Sequence, residues 1–502
     1  MENLNPAGIH SYSDVDNVIG RHNAVRKTVL ILLFLVLLLS ISLSFFAPNK
    51  LSRSYLSFCV GMVIFVFILQ CFYKFSMPKP VNWFSLDVLF FIMFFMVHFW
   101  YTFSWLVGIS LSDMVLWRDT AAVCYASNMS ASGLIAFLIG FDLLSHRFAS
   151  VRRPFLTTQV FTKWRIVGRF IFWTGVIATS IYVLILREEL LGGAYEGSSV
   201  GGRGSRVLYI LLNILLTVGV LVLSISSAQL TGKWKIGVIQ KFTLFFFLIY
   251  LVVLGDRSTM FGYVVVLGAV YTNYVKPLSL KKLIIGICIG LIVNTAGDIG
   301  RLSAERTITS FTKEVLTRKE GVSLESGAYK LAGSVRTLNQ AVSVIPSQDY
   351  YFLGKLKVSE LISIIPLTGK LLPYNLQYFS SSQYLTWSIQ KHFRSGTGST
   401  IVADIYVDFG YPFVVIILLL LGIFSKYIQQ KAFSSGSVVS GVAFCCLVSS
   451  MATLPRYNFI PTISRGVLWP VMVVILCRLV FGVHKESSQD YPEIYDYDLA
   501  SD

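Results

Sequence analysis

Thr28–Ala47 reads TVLILLFLVLLLSISLSFFA, twenty residues without a charge. A helix of that length rises about 30 Å, the thickness of a bilayer's hydrocarbon core. In hydrocarbon every backbone N–H and C=O needs a partner within the segment, and the run lacks the two-residue alternation of a barrel strand, so it is read as a helix. Arg21, Arg26 and Lys27 precede it and no small-residue cleavage pattern follows, so a retained anchor is expected instead of a signal peptide.

The rest of the chain repeats this pattern. Its 502 residues are 55% hydrophobic and 14% charged, with 38 phenylalanines and a mean hydropathy of +0.68. A soluble domain of that size could not bury so much apolar surface. Further apolar runs lie near 55–73, 84–107, 121–143, 166–186, 207–228, 238–254, 259–275, 283–298, 411–425, 436–453 and 466–483; the seventh, eighth and tenth spans of the series are short. The expected fold is all-α: a polytopic membrane helical bundle of about 12 transmembrane helices with a large extracytoplasmic loop containing helices. In chain order this gives a tail at 1–27, spans one to nine over 28–298 with an outer loop at 187–206, the large loop at 299–411, spans ten to twelve over 412–483, and an acidic tail at 484–502. No internal repeat is visible.

Net charge is +16, although the last seventeen residues carry six acids and no base. That balance suits anionic lipid or an anionic substrate. Nucleic acid is disfavoured, because the basic residues are scattered over membrane connections. Twenty Lys/Arg fall on one set of tails and short connections and nine on the other, which places both termini in the cytoplasm. The seven cysteines all lie in apolar runs without a metal-ligand spacing, so neither disulfides nor zinc are expected.

The cations in the short outer loops are nearly all arginine, which forks onto phosphate oxygens and keeps its proton. Arg257 lies in Leu254–Thr259, LGDRST, between two apolar runs at the outer interface, where a charge needs a partner or a use. An ion pair to a neighbouring helix and a clamp on a substrate pyrophosphate both fit. Arg187–Arg206, REELLGGAYEGSSVGGRGSR, lacks the GK[ST] of a nucleotide loop and reads as a mobile lid or linker with Arg203 and Arg206. Within 299–411, Phe311–Leu316 and Val335–Val344 look helical and Phe352–Leu372 looks interfacial.

The far end of that loop, His392–Tyr411, reads HFRSGTGSTIVADIYVDFGY. Gly396 and Gly398 permit unusual backbone angles beside Arg394. Asp404 and Asp408, four apart, share one face of a helix. Transfer of a glycosyl group to a sugar hydroxyl needs a base and a stabilised departing phosphate. Asp404 or His392 suits the first task and the arginines the second; a salt bridge from Asp404 to Arg394, or a charge at a helix N-terminus, is the structural alternative. Asp87, His98, Asp142 and Asp298 also lie in or at the ends of spans; Asp87 and Asp142 read as wet, and His98, mid-span, has the better functional claim.

Gly396–Gly410, GTGSTIVADIYVDFG, resembles the G-x-G-[ST]-S-x-[IV]-A-[ED]-x-Y-x-x-F-G signature of the Wzy O-antigen polysaccharide polymerases, which are ligase-like GT-C glycosyltransferases. The Gly-Asp-Arg-Ser entry to a span at Gly255–Ser258, the late outer loop and the Phe-Leu-Gly-Lys…Ile-Pro run at Phe352–Pro366 match as well. The resemblance implies a metal-independent enzyme of the bacterial inner membrane, with no cofactor. It would join undecaprenyl-pyrophosphate-linked glycan units, with membrane lipids, a flippase and a chain-length regulator as partners. It places Arg257, Asp404 and Tyr406 in family motifs and suggests Arg187, Arg203, Arg206 and Arg301 as outer arginines. Two departures stand out: Asp404 occupies a position where Glu is common, and the Arg187–Gly197 spacing is one residue short. A flippase for the same lipid-linked glycan is the rival reading, and a non-catalytic assembly subunit a third.

Overall fold

The computed structural model describes residues 12–77, 81–109, 120–144, 158–186, 203–254, 256–302, 313, 324–364, 380–389 and 398–483. Of these, 12–22, 203–206, 252–254, 257, 296–302, 324–326, 330, 387 and 389 are described by backbone alone. The first half of the chain forms α1 (Tyr12–Ser44), α2 (Arg53–Phe75), α3 (Leu86–His98), α4 (Trp100–Leu106), α5 (Thr120–Leu143), α6 (Thr158–Ile185) and α7 (Arg203–Thr231). Then come α8 (Val238–Leu254), α9 (Arg257–Val270) and α10 (Leu280–Leu302). Five short helices follow: α11 (Leu324–Ala332), α12 (Val335–Val344), α13 (Lys355–Ile362), α14 (Ser381–Ile389) and α15 (Ile401–Phe409). The chain closes with α16 (Tyr411–Ser435), α17 (Val438–Thr453), α18 (Phe459–Ile463) and α19 (Trp469–Val480). The described residues contain no strand.

Every apolar run read as a span is helical, so the protein is an all-helical, multi-pass membrane protein. Among the described residues, eight segments are long and apolar enough to cross a bilayer. The pair α3–α4, bent by 60°, makes a ninth if it is one span. The remaining expected spans are α8, α9 and α10, which fall outside that set. The third expected span is thus broken at Phe99, beside His98, and His98 lies at a helix end instead of mid-span. The tenth is longer than expected: after the apolar run, KYIQQKAFSS carries α16 on to Ser435, because no breaker intervenes before Gly436 at φ +58°. Val335–Val344 is a helix as read, whereas Phe311–Leu316 lies outside the described residues apart from Lys313.

The bundle is built around α5, whose span is 94% buried, against 22% for Phe459–Val480. Its sequence, TAAVCYASNMSASGLIAFLIGFDL, is rich in small residues, which lets neighbouring backbones come close. The closest approach is to α16: a methyl on Gly140 would run into the carbonyl of Leu419, and one on Gly422 into the carbonyl of Phe137. A second close pair joins α6 and α7, where Gly219 faces the backbone of Phe172. The outer helices leave Ile31, Leu35, Phe72 and Leu184 exposed, as lipid-facing positions require.

Polar contacts gather at the two ends of the bundle. At one end Lys74 pairs with Asp87 at 2.9 Å, Gln70 donates to Asp142 at 2.8 Å, and Arg26 donates to the Asp142 carbonyl at 2.9 Å. Asp87 and Asp142 are therefore buried and partnered, not wet as their positions near span ends suggested. The other end carries α11 to α15.

Candidate functional site: a lysine among three carboxylates

Helix α15 is the helix of the Gly396–Gly410 motif, and its ends are set by local chemistry. Gly398 at φ +78° turns the chain, and the Thr400 side chain caps the helix by accepting from the Ala403 N–H at 3.2 Å. Gly410, at φ +81°, ends α15 and starts α16, where Pro412 occupies the first turn. A Cβ at Gly410 would stand 3.2 Å from the Tyr351 ring. Gly410 thus serves a compact corner between α15 and α16.

Asp404 and Asp408 lie on one face of α15, as their spacing requires. Lys357 and Glu360, three apart on α13, face them. Lys357 Nζ lies 2.6 Å from Asp404 Oδ1, 3.3 Å from Glu360 Oε2 and 3.4 Å from Asp408 Oδ2. Asp404 Oδ1 also accepts from the Ser381 hydroxyl, and its Oδ2 accepts from the Phe459 N–H at 2.8 Å. The Asn458 side chain donates to Glu360 Oε1 at 2.6 Å and to Ser381 Oγ at 3.0 Å. Asp408 Oδ1 accepts from the Leu356 N–H at 3.3 Å, while its Oδ2 makes no hydrogen bond despite its closeness to Lys357. Four segments of the chain therefore converge on one buried cluster.

Fully ionised, three carboxylates and one ammonium would leave two uncompensated negative charges in a buried site, which is costly. Burial, with the neighbouring Asp404 charge, pushes Glu360 up to about 7 against the pull of Lys357. Burial also raises Asp408. Burial by itself would lower Lys357, but Asp404, Glu360 and Asp408 together hold it well above its usual value. Glu360 therefore carries the cluster's adjustable proton. Its folded value lies above the ordinary 4.5, so its contribution to stability is complete below pH 4.5 and is lost as pH rises through about 7. We expect the melting temperature to fall between pH 5 and pH 8 by an amount that Glu360→Gln reduces. A slope unchanged in that variant would remove Glu360 as the titrating group.

The expected site residues are distributed as follows. Asp404 is fully buried, and its salt bridge is to Lys357. Enclosed by three donors, it holds α13, α14 and α18 against α15 and does not stand open as a free base. Tyr406 is also buried, on the other side of α15, where its hydroxyl donates to the Ile345 carbonyl at 2.8 Å and its ring meets Tyr351 edge-on. Arg257 is the first residue of α9; its side chain is not among those described. The Asp256 beside it caps α9 by accepting from the Thr259 N–H at 3.1 Å, and it accepts from the Tyr209 hydroxyl at 2.6 Å, which ties α9 to α7. Arg203 and Arg206 lie in the first turn of α7 and Arg301 in the last turn of α10, not in the loops to which their sequence context assigned them. Arg187, His392 and Arg394 lie outside the described residues, as does the Arg187–Gly202 part of the glycine-rich loop.

Helix α9 packs beside α17, where Ser449 Oγ donates to the Gly262 carbonyl at 3.2 Å. Arg257 precedes Gly262, while Asn458 and Phe459 follow α17, so Arg257 and the cluster share one end of the bundle. The missed members, Lys357, Glu360, Ser381 and Asn458, come from segments without functional periodicity. The only available signal was the Lys-x-x-Glu spacing at 357 and 360. His98 is buried beside Ser130, with 3.4 Å between Nδ1 and the hydroxyl, and belongs to the α3–α5 packing.

The fold and site define a multi-pass helical membrane protein with a charged, capped end. Comparison with protein-family models, with curated proteins and with solved structures returned no match.

Proposed function

We propose that the protein is a polysaccharide polymerase, a glycosyltransferase that joins undecaprenyl-pyrophosphate-linked oligosaccharide units into an O-antigen or capsule-like polymer. In this reading it spans the bacterial inner membrane with about twelve helices and both termini in the cytoplasm. The cluster end then faces outward, and the reaction takes place there. The observation that supports it best is the anchoring of α15, the helix of the polymerase-like motif, by Lys357 at the same end of the bundle as Arg257.

The chemistry follows from charge. The polyprenyl tail lies against the apolar helices while its pyrophosphate meets Arg257 and the outer arginines Arg203, Arg206 and Arg301. The acceptor hydroxyl oxygen attacks the anomeric carbon of the donor, and the bond from that carbon to the pyrophosphate oxygen breaks. The departing diphosphate is stabilised by guanidinium charge. The hydroxyl proton passes to His392 or to a carboxylate of the cluster. Glu360, whose proton affinity sits near neutral pH, matches a general base better than the fully engaged Asp404.

Arg257→Ala is expected to shorten the polymer ladder in cells by at least tenfold in long-chain product, with Arg257→Lys recovering part of it because a point charge replaces a fork. Normal long chains at normal protein level in Arg257→Ala would remove Arg257 from the reaction.

A further inference from the structure

The end of the bundle opposite the carboxylate cluster holds a cavity of about 220 Å³. Its walls come from the last turn of α2, the first turn of α3 and the far parts of α5 and α16. Its volume exceeds several times the roughly 30 Å³ that one water occupies. A third of its lining is apolar, with Tyr73, Met77, Val81 and Phe141; the charged part is Lys74, Asp87, Asp142 and Lys426, and the remainder, Asn82, Ser85, Asn273 and Gln429, is neutral and polar.

Two features of the charged part are incomplete. Asp87 is 5% exposed, and among the described residues only its Oδ2 is engaged, by Lys74, while its Oδ1 has no hydrogen-bond partner. Lys426, half-buried across the cavity, donates a 3.3 Å hydrogen bond to Gln429 and lies 4.7 Å over the Phe141 ring, and among the described residues it forms no ion pair. The cavity thus presents an acceptor that wants a donor on one side and an ammonium that wants an acceptor on the other.

A simple anion does not fit, since Asp87 and Asp142 would repel it. A simple cation does not fit, since Lys74 and Lys426 would repel it. A molecule carrying both signs satisfies both walls. The site also lies at the ends of membrane spans, the depth of lipid headgroups, and its apolar wall suits the carbons that join a headgroup to its chains. We infer that this cavity binds a zwitterionic amine-bearing phosphate, the phosphoethanolamine headgroup, with its phosphate on Lys426 and its ammonium on Asp87 Oδ1. This site is independent of the glycan chemistry proposed for the other end.

The test uses the full chain, purified in detergent and stripped of lipid, with ligand-induced thermal stabilisation as the readout of binding. The probes are short-chain phosphatidylethanolamine, short-chain phosphatidylglycerol and soluble O-phosphoethanolamine. The inference predicts that the ethanolamine lipid binds about tenfold more tightly than the glycerol lipid. Asp87→Asn, which removes the charge that meets the ammonium, should abolish that preference, and so should Met77→Trp, which fills the cavity without touching a charge. Stabilisation by the lipid alone identifies a membrane headgroup as the source. Equal stabilisation by soluble O-phosphoethanolamine identifies a free ligand of the same chemistry. Equal binding of the two lipids, or a preference that survives in whichever of the two variants folds, overturns the inference.

Discussion

Lys357→Met is expected to destabilise the protein by about 3–5 kcal/mol, because it leaves buried carboxylates without their counter-charge. Lys357 is the only cation in contact with Asp404, Glu360 and Asp408 among the described residues, and all three carboxylates are nearly or fully buried. Methionine keeps the length and the packing of the stem, so the loss is one of charge. The remaining groups respond by taking up protons, which makes the variant most stable at low pH and increasingly unstable above neutrality. The double variant Lys357→Met with Glu360→Gln should recover part of the loss, because one of the stranded acids is then neutral. Melting curves across pH 5–8 for the three proteins decide it. Equal stability of Lys357→Met and the parent at pH 8 would mean that the cluster is solvated and carries little energy.

The second large effect is expected where α5 and α16 cross. Gly140 and Gly422 each face a backbone carbonyl of the other helix, and a carbonyl held in a helix cannot swing aside as a side chain can. Overpacking typically costs about 1–3 kcal/mol, and a clash with backbone belongs at or above the top of that range. Gly422→Val should therefore sharply lower the yield of folded protein, and Gly140→Val should behave alike. Gly61→Ala and Gly286→Ala supply the control, since a methyl at either meets nothing within 4 Å. Expression with monodisperse elution for all four variants would show that α5 and α16 do not approach as closely as described.

Most of the fold could be read from residues alone because the bilayer leaves an apolar run little choice. An uncharged run such as Thr28–Ala47 has to satisfy its own backbone, and it is helical as far as Ser44. Boundaries were harder, because they depend on residues that neither fit the membrane nor break a helix. The polar tail of α16 continues to Ser435 for that reason, and Arg203 and Arg206 join the first turn of α7 although glycines precede them.

The site was read in part. The four-residue spacing of Asp404 and Asp408 placed both on one face of a helix, and so they stand. Their partner could not be found the same way. Arg394 was nearest along the chain, but Lys357 reaches Asp404 from 47 residues away, within a stretch that looked interfacial. Buried charge pairs of this kind leave no periodic trace, since each member needs only to arrive opposite the other. Lys74 with Asp87, and Gln70 with Asp142, illustrate the same point at the other end.

The most direct measurement of the central claim is glycan elongation by the purified protein. The full chain would be reconstituted in lipid vesicles and supplied with an undecaprenyl-pyrophosphate-linked repeat unit, without nucleotide sugar. The account predicts products lengthened by whole repeat units, with free undecaprenyl pyrophosphate released in step and with little product from Arg257→Ala. Substrate that crosses the vesicle membrane without lengthening, or that stays unchanged beside well-folded protein, would contradict it.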